Sequence, residues 1–203
     1  MQIAIIGSGN VGGALASVWA EKGHSILLGV QDLASFKGQA LLANPRTQAC
    51  SIRDAIAASD VVLIATPPTA IFSILDAAEA PQERVWIDAT NAVRGAPEPF
   101  PTVYHCIAAL PNTHVVKCFN TTGFENLRNP RYGEEGLDMF MAGESDTAKA
   151  LAHQLALDAG FATCIDFGKG DKVELLEKFA LSWINLAILQ GHGRNIAFKL
   201  LRR

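Results

Sequence analysis

"IAIIGSGNVG", residues 3–12, joins a short apolar run to three glycines. A run of four apolar residues suits a buried strand or a buried helix, and periodicity alone does not choose. The glycines choose. Gly7, Gly9 and Gly12 stand at Gly-x-Gly-x-x-Gly spacing. Val11, Ala14, Leu15, Val18 and Trp19 then recur at i, i+3, i+4, i+7 and i+8, which is one face of a helix. Strand, glycine turn and helix form the context in which this spacing holds a dinucleotide. Gly7 permits the tight turn, Gly9 lets the main chain approach a pyrophosphate, and Gly12 lets the helix pack closely on the strand. Ser8, Asn10 and Val11 complete the turn and are read with it as cofactor-binding, because the first N–H groups of a helix attract phosphate. The competing reading makes the glycines a tight strand–helix junction and nothing more.

The alternation continues along the chain. "SILLG", "DVVLIA" (60–65), "RVWIDA" (84–89), "HVVKCF" (114–119), "LDMFMAG" (137–143) and "TCIDFG" (163–168) read as strands, with a weaker one near Gln48–Cys50. Between them, Gly23 caps the first helix, Ser51 and Asp54 open a second, and Thr66-Pro67-Pro68 opens a third running through Leu75. A further helix is expected over 147–160. Strands apolar on both faces, alternating with helices, predict an α/β fold: a Rossmann-type doubly wound, mostly parallel sheet over residues 1–168. The Pro-rich "GAPEPFP" (95–101) is read as the seam between two halves of the sheet. Residues 169–203 are read as a C-terminal helical tail, opened by an Asp171/Glu174 capping box and interrupted at Gly191-His192-Gly193. That tail carries two apolar faces. Leu176, Phe179, Ala180, Trp183 and Ala187 suit the domain; Leu181, Ile184 and Ile188 suit a second subunit, so a homodimer is expected.

Composition sets outer bounds. The 203 residues are 49% hydrophobic and 18% charged, with a formal net charge of −3, which suits a large core and offers nucleic acid no basic footprint. No apolar stretch approaches the roughly 20 residues a bilayer crossing needs. The first strand starts beside residue 1, which leaves no space for a signal sequence, so a cytoplasmic protein is expected. Cys50, Cys106, Cys118 and Cys164 lie far apart and read as reduced thiols. His24, His105, His114, His153 and His192 are equally scattered, and no metal site is proposed.

Which dinucleotide binds turns on the end of the second strand, "LLGVQD". An acidic residue there would bind the ribose diol of NAD, and an arginine would suit the extra phosphate of NADP. Val30 and Gln31 occupy those positions. Gln31 donates hydrogen bonds without charge, Asp32 beside it repels phosphate, and Ser8 and Lys37 are the neighbours able to compensate. NADP is the reading, with NAD as the alternative. Ligands lie beyond the carboxyl ends of parallel strands. Thr66, Pro67 and Pro68, then Ala89, Thr90 and Asn91, then Asn120, Thr121 and Thr122 are polar-rich clusters at three such ends, and read as a ring about one crevice. Lys117 lies inside a strand pattern and reads as structural or phosphate-facing rather than catalytic. No acid–base residue is assigned.

"IAIIGSGNVGGALA…GHSILLG", "DVVLIATPP", "WIDATNAV", "VVKCFNTTGFENLRNP" and "GHGRNIAFKLL" together resemble the NADP oxidoreductases that use the deazaflavin coenzyme F-420. "WIDATNAV" and "VVKCFNTTGFENLRNP" are also similar to the reductase domain of the six-transmembrane metalloreductases. The resemblance implies a nicotinamide over the sheet edge with a flat deazaflavin or flavin stacked against it. It implies that Ser8, Val30 and Gln31 hold the adenosine 2′-phosphate, although Gln31 stands where the family has arginine. Thr66, Pro67, Pro68, Ala89, Thr90 and Asn91 would line the nicotinamide, and Asn120, Thr121 and Thr122 the second ring. The function expected is hydride transfer between NAD(P)H and a deazaflavin or flavin-type acceptor. The alternatives are a non-catalytic NAD(P)-binding sensor or assembly module, and a small hydroxy-acid or imine reductase.

Overall fold

The computed structural model describes residues 1–78, 84–93 and 95–203. Its first strand β1 (Gln2–Ile6) runs into helix α1 (Asn10–Glu21), and β2 (Ser25–Val30) returns beside β1. β3 (Thr47–Ser51), α2 (Ile52–Ala57), β4 (Val61–Ile64), α3 (Ile71–Ala77) and β5 (Val85–Asp88) follow. Then come α4 (Val103–Ala108), β6 (His114–Cys118), α5 (Phe124–Arg128) and a small hairpin of β7 (Arg131–Tyr132) and β8 (Glu135–Gly136). The chain continues through β9 (Asp138–Ala142), α6 (Asp146–Asp158), β10 (Thr163–Asp166) and α7 (Val173–Ile184).

Eight strands form one sheet in the order β10-β9-β6-β5-β4-β1-β2-β3. The pairs from β3 to β6 are parallel, β9 joins β6 antiparallel, and β10 runs parallel to β9. β1 is buried at Ile3, Ile5 on one face and Ala4, Ile6 on the other, so each face seeds its own core. The first core takes Leu15 and Trp19 of α1 and Leu155 of α6; the second takes Ile56, Ile74, Ile107 and Leu176. This continuous two-sided burial is why these strands read as unbroken apolar runs. The mostly parallel α/β sheet expected from the alternation is the observed one.

Several expectations are corrected. The seam of the sheet lies at α2, which carries the chain from β3 at one edge back to β4 beside β1. The Pro-rich 95–101 stretch is instead a loop between adjacent β5 and β6, ahead of α4. α4, α5 and the β7–β8 hairpin are too short to leave a period; α4 is recognisable only by Thr102, whose hydroxyl caps it at His105 N. Asp171 forms no capping box, because its carboxylate pairs with Lys172 and α7 starts after a single tight turn at Gly170–Lys172.

The tail departs furthest. α7 widens through Asn185–Leu189, and no helix follows. Gly191 (φ +73°) and Gly193 (φ +81°) take left-handed conformations, and the chain folds back as an irregular strap. Its main-chain groups find partners elsewhere, so no helical ladder is needed. Ile196 O accepts from Trp183 Nε1 (2.6 Å) and Asn126 Nδ2 (2.8 Å), and Leu200 N donates to Asp138 Oδ2 (2.8 Å). Phe198 stacks on Phe179 at 4.5 Å. The expected inner face of α7 is buried at Leu176, Ala180, Trp183 and Ala187, while Leu181 and Ile188 remain 42% and 52% exposed. All four cysteines are free, with Cys118 and Cys164 sulfurs 3.7 Å apart and unbonded.

Candidate dinucleotide site

The three glycines of the first turn separate by what surrounds them. Gly7 has φ +107°, and a Cβ there would fall 2.5 Å from Ala65 O. At Gly12 a Cβ would fall 1.9 Å from Gly7 O, so the first turn of α1 lies directly on the strand end. The fold itself demands these two glycines. Gly9 differs: its φ of −76° and ψ of −155° suit any residue, and apart from Gly9 itself and its two chain neighbours no described atom lies within 4 Å of where its Cβ would be. Gly9 is the N-cap of α1, makes no side-chain cap bond, and no acidic residue follows in the first turn. The helix therefore presents unpaired N–H groups and its positive end to open space.

Beside this turn, the carboxyl ends of β1, β2 and β4 enclose a cleft of about 410 Å³. Ile6, Gly7 and Ser8 form its floor, Gly29, Val30, Gln31 and Asp32 one wall, and Thr66, Pro67, Ala70 and Ile74 the other. Ile52 of α2 and the loop residues Ser35 and Phe36 complete it. Apolar walls with a few polar groups at one lip suit an adenosine. Gln31 and Asp32 are exposed at that lip. Asp32 accepts from Ser35 Oγ (2.5 Å) and Ala34 N (2.9 Å). The Ser35 hydroxyl, helped by the Ala34 amide, holds the Asp32 carboxyl below the usual carboxylate range. The lip thus keeps a negative charge at Asp32.

A second polar group lies beyond β5 and β6. Phe119, fully buried with its edge on Trp19, turns the chain at φ +63°, an unusual conformation for an aromatic residue. The next residue, Asn120, meets Asn91: Asn91 Nδ2 donates to Asn120 O and Asn120 Nδ2 to Asn91 Oδ1, both at 2.9 Å. Asn120 Oδ1 and Thr66 Oγ1 are buried without partners among the described residues. Under this pair lies a charge cluster. Lys117, fully buried, donates to Asp88 Oδ2 (2.9 Å), Thr90 O (2.6 Å) and Glu177 Oε1 (2.5 Å). Asp88 also accepts from Thr90 N, Thr90 Oγ1 and Tyr104 N.

Of the residues singled out from sequence, Gly7, Ser8, Val30, Gln31, Thr66 and Pro67 line the one cleft. Gly9 and Asn10 stand exposed at its mouth, Val11 packs against the core, and Pro68 begins the single-turn helix Pro68–Ala70. Asn91 meets Asn120 in the second group, Thr90 bonds Asp88 and Lys117, and Ala89 N donates to Ile64 O. Thr121 turns inward toward Met139, and Thr122 Oγ1 accepts from Asn126 Nδ2 (2.7 Å). Ser35, Phe36 and Ile52 were not expected in the cleft; an Asp three residues before a Ser after a strand is the local signal that could have found Ser35. Glu177 leaves no local signal, because its partners are 60 and 85 residues away.

Residues 2–92 match the family model described as NADP oxidoreductase, coenzyme F-420-dependent. Among solved structures, a provisionally named F-420-dependent NADP reductase from Arthrobacter sp. FB24 is 27% identical, covers 100% of both chains and superposes with a TM-score of 0.86. A hypothetical protein from Sinorhizobium meliloti is 23% identical over 100% of this chain and 96% of its own, with a TM-score of 0.73. An imine reductase from Streptomyces aurantiacus is 19% identical with a TM-score of 0.71. The match covers 94% of this chain but only 64% of the imine reductase, so that likeness concerns the fold. No curated protein matches.

Proposed function

We propose, taking the family match over residues 2–92 as the premise, that this NAD(P)-dependent oxidoreductase exchanges hydride between NADP(H) and a flat acceptor of deazaflavin F-420 or flavin type. The observation that carries the reading is Gly9: the fold leaves its Cβ position empty, and a diphosphate crossing the N-terminus of α1 is what such a gap admits. The main chain at Gly9 and Asn10 would hold the pyrophosphate, Val30, Ile52 and Ile74 the adenine, and Gln31 the ribose end. The Thr66 hydroxyl and the Asn120 side-chain Oδ1 are buried without partners among the described residues, and they are the groups we assign to the nicotinamide and its acceptor. The dinucleotide supplies the hydride when bound. The chain's own part is to align two rings and exclude water, which needs no strong acid or base.

Titration with NADPH and NADH, followed by turnover with F-420, flavins and quinones, tests the reading. NADPH oxidation that depends on such an acceptor is expected; binding without turnover with any of them supports the sensor alternative, which Gln31 favours. Gln31→Arg is expected to raise the NADPH to NADH affinity ratio about tenfold, since a guanidinium pairs bidentately with phosphate. The gain will be held down by Asp32, so Gln31→Arg with Asp32→Ala should exceed it. An unchanged ratio in both variants would place the 2′-phosphate elsewhere.

The exposed face of α7 supports a homodimer. Leu181 and Ile188, seven residues apart and so on one face, are 42% and 52% exposed. Light scattering at micromolar concentration should give twice the 21.7 kDa chain mass, and Leu181→Glu with Ile188→Glu should halve it. No helix among the described residues is long and apolar enough to cross a membrane, and we place the protein in the cytoplasm.

A further inference from the structure

The buried cation of β6 joins the C-terminal helix to the cofactor edge of the sheet. Lys117 Nζ has three acceptors, and each belongs to a different element: Asp88 at the end of β5, Thr90 O in the segment after it, and Glu177 on α7. Glu177 uses its second oxygen to accept from Ala92 N at 2.9 Å. Residues 90 and 92 are therefore tied at both sides of Asn91, one to the ammonium and one to the carboxylate. Between those ties, Asn91 makes its two bonds to Asn120. Among the described residues the sheet's hydrogen bonds stop at Ala89 N, which donates to Ile64 O, and none reaches residues 90–92. The side chains do the holding.

We infer that Glu177 is a positioning residue of the dinucleotide site, acting through Ala92 N and Lys117 to hold Asn91 at the nicotinamide end. This rests on the proposed dinucleotide reading. Removing the Glu177 carboxylate leaves Lys117 still paired with Asp88 and Thr90 O, so the buried core of the cluster stays neutral. What is lost is the acceptor for Ala92 N and the anchor of the 90–92 segment. The adenosine cleft, at β1, β2 and β4, shares no lining residue with this cluster. The two halves of the cofactor should therefore respond differently.

Calorimetric titration of wild type, Glu177→Ala and Glu177→Gln with NADPH and with its adenine half, 2′,5′-ADP, decides the matter (NADH and ADP if the wild type prefers them). Glu177→Ala is expected to weaken the whole dinucleotide about tenfold, the scale of one hydrogen bond to a charged group. It should leave the half-ligand unchanged, and Glu177→Gln, whose one amide oxygen can accept from Ala92 N while its NH2 cannot accept from Lys117, should recover part of the loss. If Glu177→Ala unfolds, loses both ligands in proportion, or loses neither, the role is structural or absent and the inference falls. If the wild type binds neither dinucleotide, it is the proposed function that fails.

Discussion

Gly9→Val is expected to weaken NADPH and NADH binding at least about a hundredfold and leave the protein folded, whereas Gly12→Val is expected to destabilise the fold by more than about 3 kcal/mol. The contrast follows from the space around each glycine. At Gly9 a side chain enters a void. The backbone there is extended and the residue makes no cap bond to lose, so the change costs within about 1 kcal/mol, the span of the N-cap scale. The same branched side chain covers the N–H groups that would receive a diphosphate. Losing two or more charge-assisted bonds at about 1.5–3 kcal/mol each predicts at least about a hundredfold weaker binding. At Gly12 the new Cβ would stand 1.9 Å from Gly7 O, a main-chain atom with nowhere to go. α1 must lift off the strand, and with it Leu15 and Trp19, both fully buried. A loss above about 3 kcal/mol is expected, or about 10 °C in melting temperature for a chain of this size. Thermal melts with and without NADPH read both effects. A Gly9→Val protein that binds normally would show that the gap at the helix start is not a phosphate site.

How far the sequence foretells this depends on range. The glycine turn is local: strand, turn and helix occupy residues 2–21, and the close packing at Gly7 and Gly12 is visible in their spacing. The long apolar strands were legible because both faces are buried, which leaves an uninterrupted run. The capping box at Asp171 failed because a neighbouring lysine competes for the same carboxylate at closer range. The tail failed for a different reason. "GRNIAFKLL" has helical composition, but Phe198 gains an aromatic cluster and Ile196 O two side-chain donors by leaving the helix. Tertiary contacts of that kind override propensity, which is worth only tenths of a kcal/mol per residue. The charge cluster was beyond reach on the same grounds. Lys117 was placed correctly within a strand, yet nothing nearby in sequence announces Glu177.

Lys117→Met should be the most damaging single change outside the glycine turn. Methionine fills the lysine stem's space, so little packing is lost, and the effect isolates the charge. Two carboxylates then remain without their cation, one in a fully buried side chain and one in a side chain only 11% exposed. Breaking a buried pair by removing one partner costs about 3–5 kcal/mol, because the charge left behind has lost its counter-ion. Asp88 keeps three donors from Thr90 and Tyr104, which puts the expected loss at the lower end. Glu177 is closer to solvent and can swing out, and in doing so it frees Ala92 N. A fall of about 10 °C in melting temperature is expected. The decisive measurement is the double variant Lys117→Met with Glu177→Gln. Glutamine removes one stranded charge and still accepts from Ala92 N, so the double variant should be more stable than Lys117→Met alone, by about 1 kcal/mol, within the range for residues in contact. Additive losses would mean that Lys117 and Glu177 stabilise the fold separately, and that the cluster is not the single electrostatic unit its distances describe.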